Sequence, residues 1–154
     1  IGKIIVERRD KREIILLQPS IDDVMQQKVF KLQHMKKDYY VPLWHSEMVY
    51  EYIDGENNNH HFIVKCEAKL PQHIDIDENN NVHIKLDSDI KALMNNGNLK
   101  FNIGTKSFLI QSEELKIVKK QTYTIKMQGI PIIDEKNYLN VDRLGDIIVY
   151  VQLY

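Results

Sequence analysis

Trp44-His45-Ser46-Glu47 brings an imidazole, a hydroxyl and a carboxylate into four consecutive positions, the groups that acid–base or nucleophilic catalysis uses. Neighbouring residues of an extended chain point to opposite sides, and a tryptophan amid alternating apolar residues reads as core, so the cluster reads as structural. Six histidines raise the question of a metal. His60 and His61 are adjacent and diverge on a strand, and no Glu-x-x-His or His-x-x-x-His pair puts two ligands on one helix face. Asp75-x-Asp77-x-Asn79 opens like a calcium loop, but Asn80 stands where the sharp turn needs glycine and Leu86 where a bidentate glutamate closes the shell. A polar hairpin turn is the better reading. Gly104-Thr-Lys-Ser107 lacks the upstream glycine and the residue order of a phosphate loop, and no Gly-x-Ser-x-Gly elbow is present. Cys66, the one cysteine, has no internal disulfide partner; within Phe62–Glu67 it reads as a buried thiol in a reducing compartment. The expectation is a binding module, not an enzyme, with no cofactor and no metal.

These residues sit in a chain of 154, with 43% apolar and 28% charged residues and a net charge of -1, ordinary for a globular protein. That charge argues against sequence-independent nucleic-acid binding, which needs a basic excess to release counterions. No apolar run is long enough to span a bilayer as a helix, and no signal peptide is recognisable. A cytoplasmic location is expected, and a start at Ile1 suggests an upstream part.

Short alternating or apolar runs predict strands at Lys3–Glu7, Glu13–Gln18, Lys28–His34, Met48–Ile53 and His61–Ala68, and again between Ile74 and Leu86. Further strands are expected at Leu99–Ile103, Ser107–Gln111, Glu114–Lys119, Thr122–Met127 and Ile147–Leu153, with Gln128–Leu144 as a loop. Only Ile21–Gln26 and Ile90–Met94 read as helices, each opened by a capping residue, Ser20 and Asp89. These two stretches also resemble each other. Shifted by about 69 residues, Ile21 falls on Ile90, Met25 on Met94, Lys31 on Lys100 and Leu32 on Phe101. One supersecondary unit used twice explains such spacing. The predicted fold is mostly β: two tandem β-sandwich or half-barrel lobes with one short helix each, at residues 1–72 and 73–154.

Asp23–Leu32, Asp89–Phe101, Tyr123–Pro131 with its Gly129-Ile-Pro131, and Leu144–Leu153 with its Gly145-Asp146-Ile147 together resemble the C-terminal client-binding region of the DnaJ family, the J-domain co-chaperones. The resemblance covers most of the chain from Glu13 onward. Departures are the missing His-Pro-Asp tripeptide and Cys-x-x-Cys-x-Gly-x-Gly repeats, Gln27 in place of a glycine after the first helix, and no dimerising helical tail. Tyr39–Glu47 resembles DnaJ-like proteins of giant DNA viruses, which adds a second reading, a structural component of a virus particle.

The resemblance implies a groove in the first lobe where an extended segment of an unfolded client adds to an exposed strand edge. Lys28–Leu32 is the expected edge, with Phe30 and Leu32 as apolar floor and Ile15 or Leu17 from the neighbouring strand beside them. Plain core packing is the competing reading of Phe30 and Leu32. Lys28 and Lys31 would attract an acidic terminus, such as the C-terminal tail of the seventy-kilodalton heat-shock chaperone. A homodimer or virion proteins are further expected partners; nucleic acid and membrane are not.

Overall fold

Alternation of apolar and polar residues organises the chain into strands whose buried faces meet in pairs of sheets. The structure, a computed structural model, describes residues 4–9 and 12–154. They form two compact units: Ile1–Lys69 with Ile133–Asn140, and Leu70–Ile132 with Val141–Tyr154. The middle of the Gln128–Leu144 loop, read from sequence as part of the second half, thus belongs with the first.

In the first unit, β1 (Ile4–Arg9), β2 (Arg12–Leu17), β6 (Asn59–Cys66) and β5 (Glu47–Ile53) form a four-stranded sheet in that order. Between β2 and β6 come α1 (Ile21–Met25) and the hairpin β3 (Val29–His34) and β4 (Lys37–Pro42), a separate two-stranded sheet. The second unit repeats the plan. Its four-stranded sheet runs β7 (Ile74–Ile76), β8 (Val82–Ser88), β12 (Ile147–Leu153), β11 (Lys120–Ile125), and α2 (Ile90–Asn96) leads into the hairpin β9 (Asn98–Ile103) and β10 (Lys106–Gln111). In both sheets the inner pair, β2 with β6 and β8 with β12, is parallel and the outer pairs are antiparallel. A parallel pair needs a crossover connection, and the helix, the hairpin and an outer strand of the same sheet, β5 or β11, supply it each time. The protein is therefore mostly β, with two helices among the described residues and two sheet pairs forming separate lobes.

The repeat is kept to the residue. Helices start at 21 and 90, third strands at 29 and 98, and their partners at 37 and 106. Hairpin register matches too: Phe30 opposes Val41 and Leu32 opposes Tyr39, as Leu99 opposes Ile110 and Phe101 opposes Phe108. Helix α1 is closed by a reciprocal cap, Asp23 N–H donating to Ser20 Oγ (3.1 Å) and Ser20 N–H to Asp23 Oδ2 (2.9 Å). Helix α2 is capped by Gly97 in the left-handed region (φ 74°), whereas the α1 cap, Gln26, has φ -86° and the left-handed residue follows at Gln27 (φ 59°). The first copy thus makes this turn without a glycine and one residue earlier in the repeat.

One expected strand is absent. Glu114–Lys119 begins in a 3-10 turn, Ser112–Glu114. The Gln121 amide then takes both main-chain groups of Lys116, accepting from its N–H at 2.9 Å and donating to its C=O at 2.6 Å. A side chain occupies the groups a ladder would need. Conversely, Lys37–Pro42, where no strand is expected from the sequence, is the strand β4.

Two turns share one clasp. Asp54 Oδ1 accepts from the N–H groups of Glu56 and Asn58, both at 2.9 Å, and its Oδ2 meets His60 Nε2 at 2.8 Å. Asp77 Oδ1 accepts from Asn79 (2.9 Å) and Asn81 (3.0 Å), and its Oδ2 meets His83 Nε2 at 2.8 Å. Asp75–Asn79 is thus a hairpin turn held by one aspartate. The His60 bond, with backbone donors, brings Asp54 down to about 2. Burial pushes Asp77 up, but His83 and Asn81 outweigh it and bring it to about 2. Both folded values lie below that of an unfolded aspartate, near 3.9, so their stabilisation is complete above that pH and lost as pH falls toward about 2. Thermal unfolding followed from about pH 5 to about pH 2 should show this acid limb, and Asp77→Asn should flatten it. An unchanged limb would assign acid sensitivity elsewhere.

Candidate functional site

The core of the first unit gathers Ile15, Leu17, Leu32, Tyr39, Val41, Leu43, Phe62 and Val64, with Phe30, Tyr50, Tyr52 and Cys66 against it. Ile15, Leu17 and Leu32 are 1%, 0% and 5% exposed. That corrects the expected groove: these three are core, buried because β3 and β4 lie face to face with the four-stranded sheet. Nor do Ile15 and Leu17 lie beside β3 in a sheet, since β2 pairs with β1 and β6. Phe30 is half-buried on the same inner face.

The edge itself is open. Beyond β4, no strand pairs with β3 among the described residues. The Lys28 carbonyl accepts from Leu43 N–H at 3.2 Å, on the β4 side. By antiparallel alternation the main chains of Phe30, Leu32 and His34 also face β4, so those of Val29, Lys31 and Gln33 turn outward. The far side of β4 is closed differently. Tyr39 Oη donates to the Glu51 carbonyl at 3.2 Å and Tyr50 Oη to the Tyr40 carbonyl at 2.9 Å, seaming β4 to β5. β3 therefore lies toward the other end of the larger sheet, and His34 Nε2 comes within 3.3 Å of Glu13 Oε2 on β2.

One strand further out is left uncovered. Ile4 opposes Leu17 and Val6 opposes Ile15, and directly opposed residues share a face. Ile4 and Val6 thus point to the core side, yet they are 49% and 56% exposed. The β3 edge thus leaves the main-chain groups of Val29, Lys31 and Gln33 without a strand partner, and β1 leaves Ile4 and Val6 bare on the core side. In the second unit the shorter β7 buries its Ile74 to 6%. There a groove of about 410 Å³, lined by Ala92, Leu93 and Asn96 of α2 and Asn98–Lys100 of β9, flanks the equivalent edge.

The two lysines are both partnered. Lys28 Nζ is 3.1 Å from Asp23 Oδ1, and Lys31 Nζ is 3.3 Å from Asp38 Oδ2. Burial raises the Asp23 carboxyl, but the Ser20 amide and Lys28 more than offset this and hold it below the usual range. The Lys31–Asp38 pair is exposed on both sides, and such pairs contribute under about 1 kcal/mol, so Lys31 can exchange its carboxylate for another at small cost. Asp23 is buried, so Lys28 stays with it and offers only its remaining donors.

Trp44 and His45 are core, 4% and 3% exposed. Burial lowers the His45 pKa, partly opposed by a hydrogen bond to the Tyr138 main chain and by Asp134. Cys66 is half-buried, and burial pushes its thiol up to about 12, far from a reactive thiolate. Among the described residues no three His, Cys, Asp or Glu side chains gather as a metal site, and no helix is long and apolar enough to cross a membrane. Ile4 and Val6 were missed from sequence although their strand was read, because the pairing of that strand with Glu13–Gln18 was not. No family model matches the chain, and neither does any curated protein.

Proposed function

We propose that the chain binds unfolded client polypeptides by strand addition to the open edge of β3, as a DnaJ-like C-terminal client-binding region would. The observation that carries this reading is the unpaired edge of Val29, Lys31 and Gln33, with Ile4 and Val6 uncovered. Main-chain pairing gives affinity without demanding one sequence, and bare apolar residues select apolar side chains at alternate positions. The duplicated plan of two lobes supports the same reading, alongside the family resemblance of Asp23–Leu32 and Asp89–Phe101. The acidic tail of the seventy-kilodalton heat-shock chaperone is a second ligand for this edge, its carboxylates taking Lys31 from Asp38 and meeting the exposed Lys28 beside Asp23.

Lys31→Pro is the sharpest test. It deletes a donor on the outward side, leaves the β4 ladder intact, and places proline where an edge strand tolerates it. Binding of a fluorescently labelled, permanently unfolded polypeptide should weaken about tenfold or more, from a lost hydrogen bond and the obstructing ring. Lys31→Ala, which keeps the amide, should bind the same polypeptide nearly as well and the acidic tail peptide less well. Equal binding by the proline variant would rule out strand addition at β3.

A further inference from the structure

The four-stranded sheet of the first unit has a second face, away from β3 and β4, and it is not built like an ordinary solvent face. Ile15 and Leu17 point inward, so Ile14 and Leu16 point outward. Ile14 opposes Ile63, Ile63 opposes Val49, and Leu16 opposes Ile5, a contiguous aliphatic patch in which Val49 is 59% exposed and Ile5, Ile14, Leu16 and Ile63 are half-buried. The second unit, with the same strand plan, offers a like-for-like comparison. Its outer face has His83 and Lys85 on β8 where the first has Ile14 and Leu16 on β2, and Thr124 beside Ile148 where the first has Val49 beside Ile63. One fold thus carries a polar outer face in one copy and an apolar, partly accessible one in the other, and contiguous apolar surface reached by solvent marks an interaction site.

The charges on this face say what covers it. Along β6 the outward residues run His61, Ile63, Lys65; opposite them on β5 run Glu51, Val49, Glu47. A basic–apolar–basic column therefore lies beside an acidic–apolar–acidic one. A two-fold axis parallel to the strands and between β5 and β6 sets each column over the other in a second copy: Lys65 over Glu47, Ile63 over Val49, His61 over Glu51. The patch is complementary to itself, as an isologous interface must be, and sheets packed face to face with aligned strands are a common arrangement. We infer that the chain self-associates as a two-fold dimer through this outer sheet face, independently of client binding at β3.

Sedimentation of the purified chain across the micromolar range tests this, with circular dichroism and thermal melting as checks of folding. The wild-type chain should sediment as a dimer. Val49→Lys places like charges near the axis at an exposed position and should give a folded monomer. Lys65→Glu sets like charges over Glu47 and should do the same, whereas edge-to-edge pairing of β5 strands would be indifferent to it. The double variant Glu47→Lys with Lys65→Glu restores complementarity and should restore the dimer. A monomeric wild-type chain, a dimer that survives Lys65→Glu, or a double variant that stays monomeric would each overturn the inference.

Discussion

Phe62→Ala should lower the stability of the first unit by about 3–5 kcal/mol, the usual cost of removing a buried aromatic ring. Phe62 is fully buried, with the ring of His34 centred 4.4 Å away, Tyr39 at 4.9 Å, Tyr50 at 5.5 Å and Tyr52 at 6.0 Å. These neighbours come from β3, β4 and β5, so the ring ties the hairpin to the larger sheet. They cannot close the space together, because the tyrosine hydroxyls that seam β4 to β5 hold two of them in place. A unit of this size has the low end of about 5–15 kcal/mol to lose. Trp44 is the only tryptophan and lies in this unit, so its fluorescence in a urea titration reads the first unit alone. Phe62→Leu keeps most of the volume and should cost less than about 1.5 kcal/mol. A loss below about 1 kcal/mol for the alanine variant would mean that the sheets are not closely packed there.

Gly145→Ala should cost about 3 kcal/mol, at the upper end of overpacking, because the clash is with main chain that has nowhere to move. A Cβ at 145 would overlap the Asn80 carbonyl oxygen and lie 2.9 Å from its carbon. The close approach is held from both sides. Gly145 N–H donates to the Ile130 carbonyl at 2.7 Å, and Gly129 N–H to the Gly145 carbonyl at 2.9 Å. Asn80 Nδ2 donates to the Pro131 carbonyl at 2.8 Å, and Asp146 N–H to Asn81 Oδ1 at 2.8 Å. Gly129-Ile-Pro131 and Gly145-Asp146-Ile147, two motifs of the family resemblance, thus meet in one knot with the Asp77–Asn81 turn. Gly55 is the control: nothing lies within 4 Å of a Cβ there, and Gly55→Ala should change the melting temperature little. Equal melting temperatures for the two alanine variants would contradict the knot.

What the amino-acid sequence determined by itself was whatever local periodicity and short-range chemistry control. The strands at Met48–Ile53 and Ile147–Leu153 announce themselves by alternation, the helices by Ser20 and Asp89, and the repeat by matching residues about 69 apart; each depends on a few neighbours along the chain. Register and face were only half legible. Phe30 and Leu32 were read on one side of their strand, but whether that side met a peptide or a second sheet depends on β4 folding back and on Tyr39 and Tyr50 fastening it to β5. Tertiary structure alone decided that Ile15 and Leu17 are covered while Ile4 and Val6, on the same face one strand away, are not. The reason is width: a two-stranded sheet cannot roof four strands, and which strand stays bare follows from a sheet order, β1-β2-β6-β5, that joins residues some fifty positions apart.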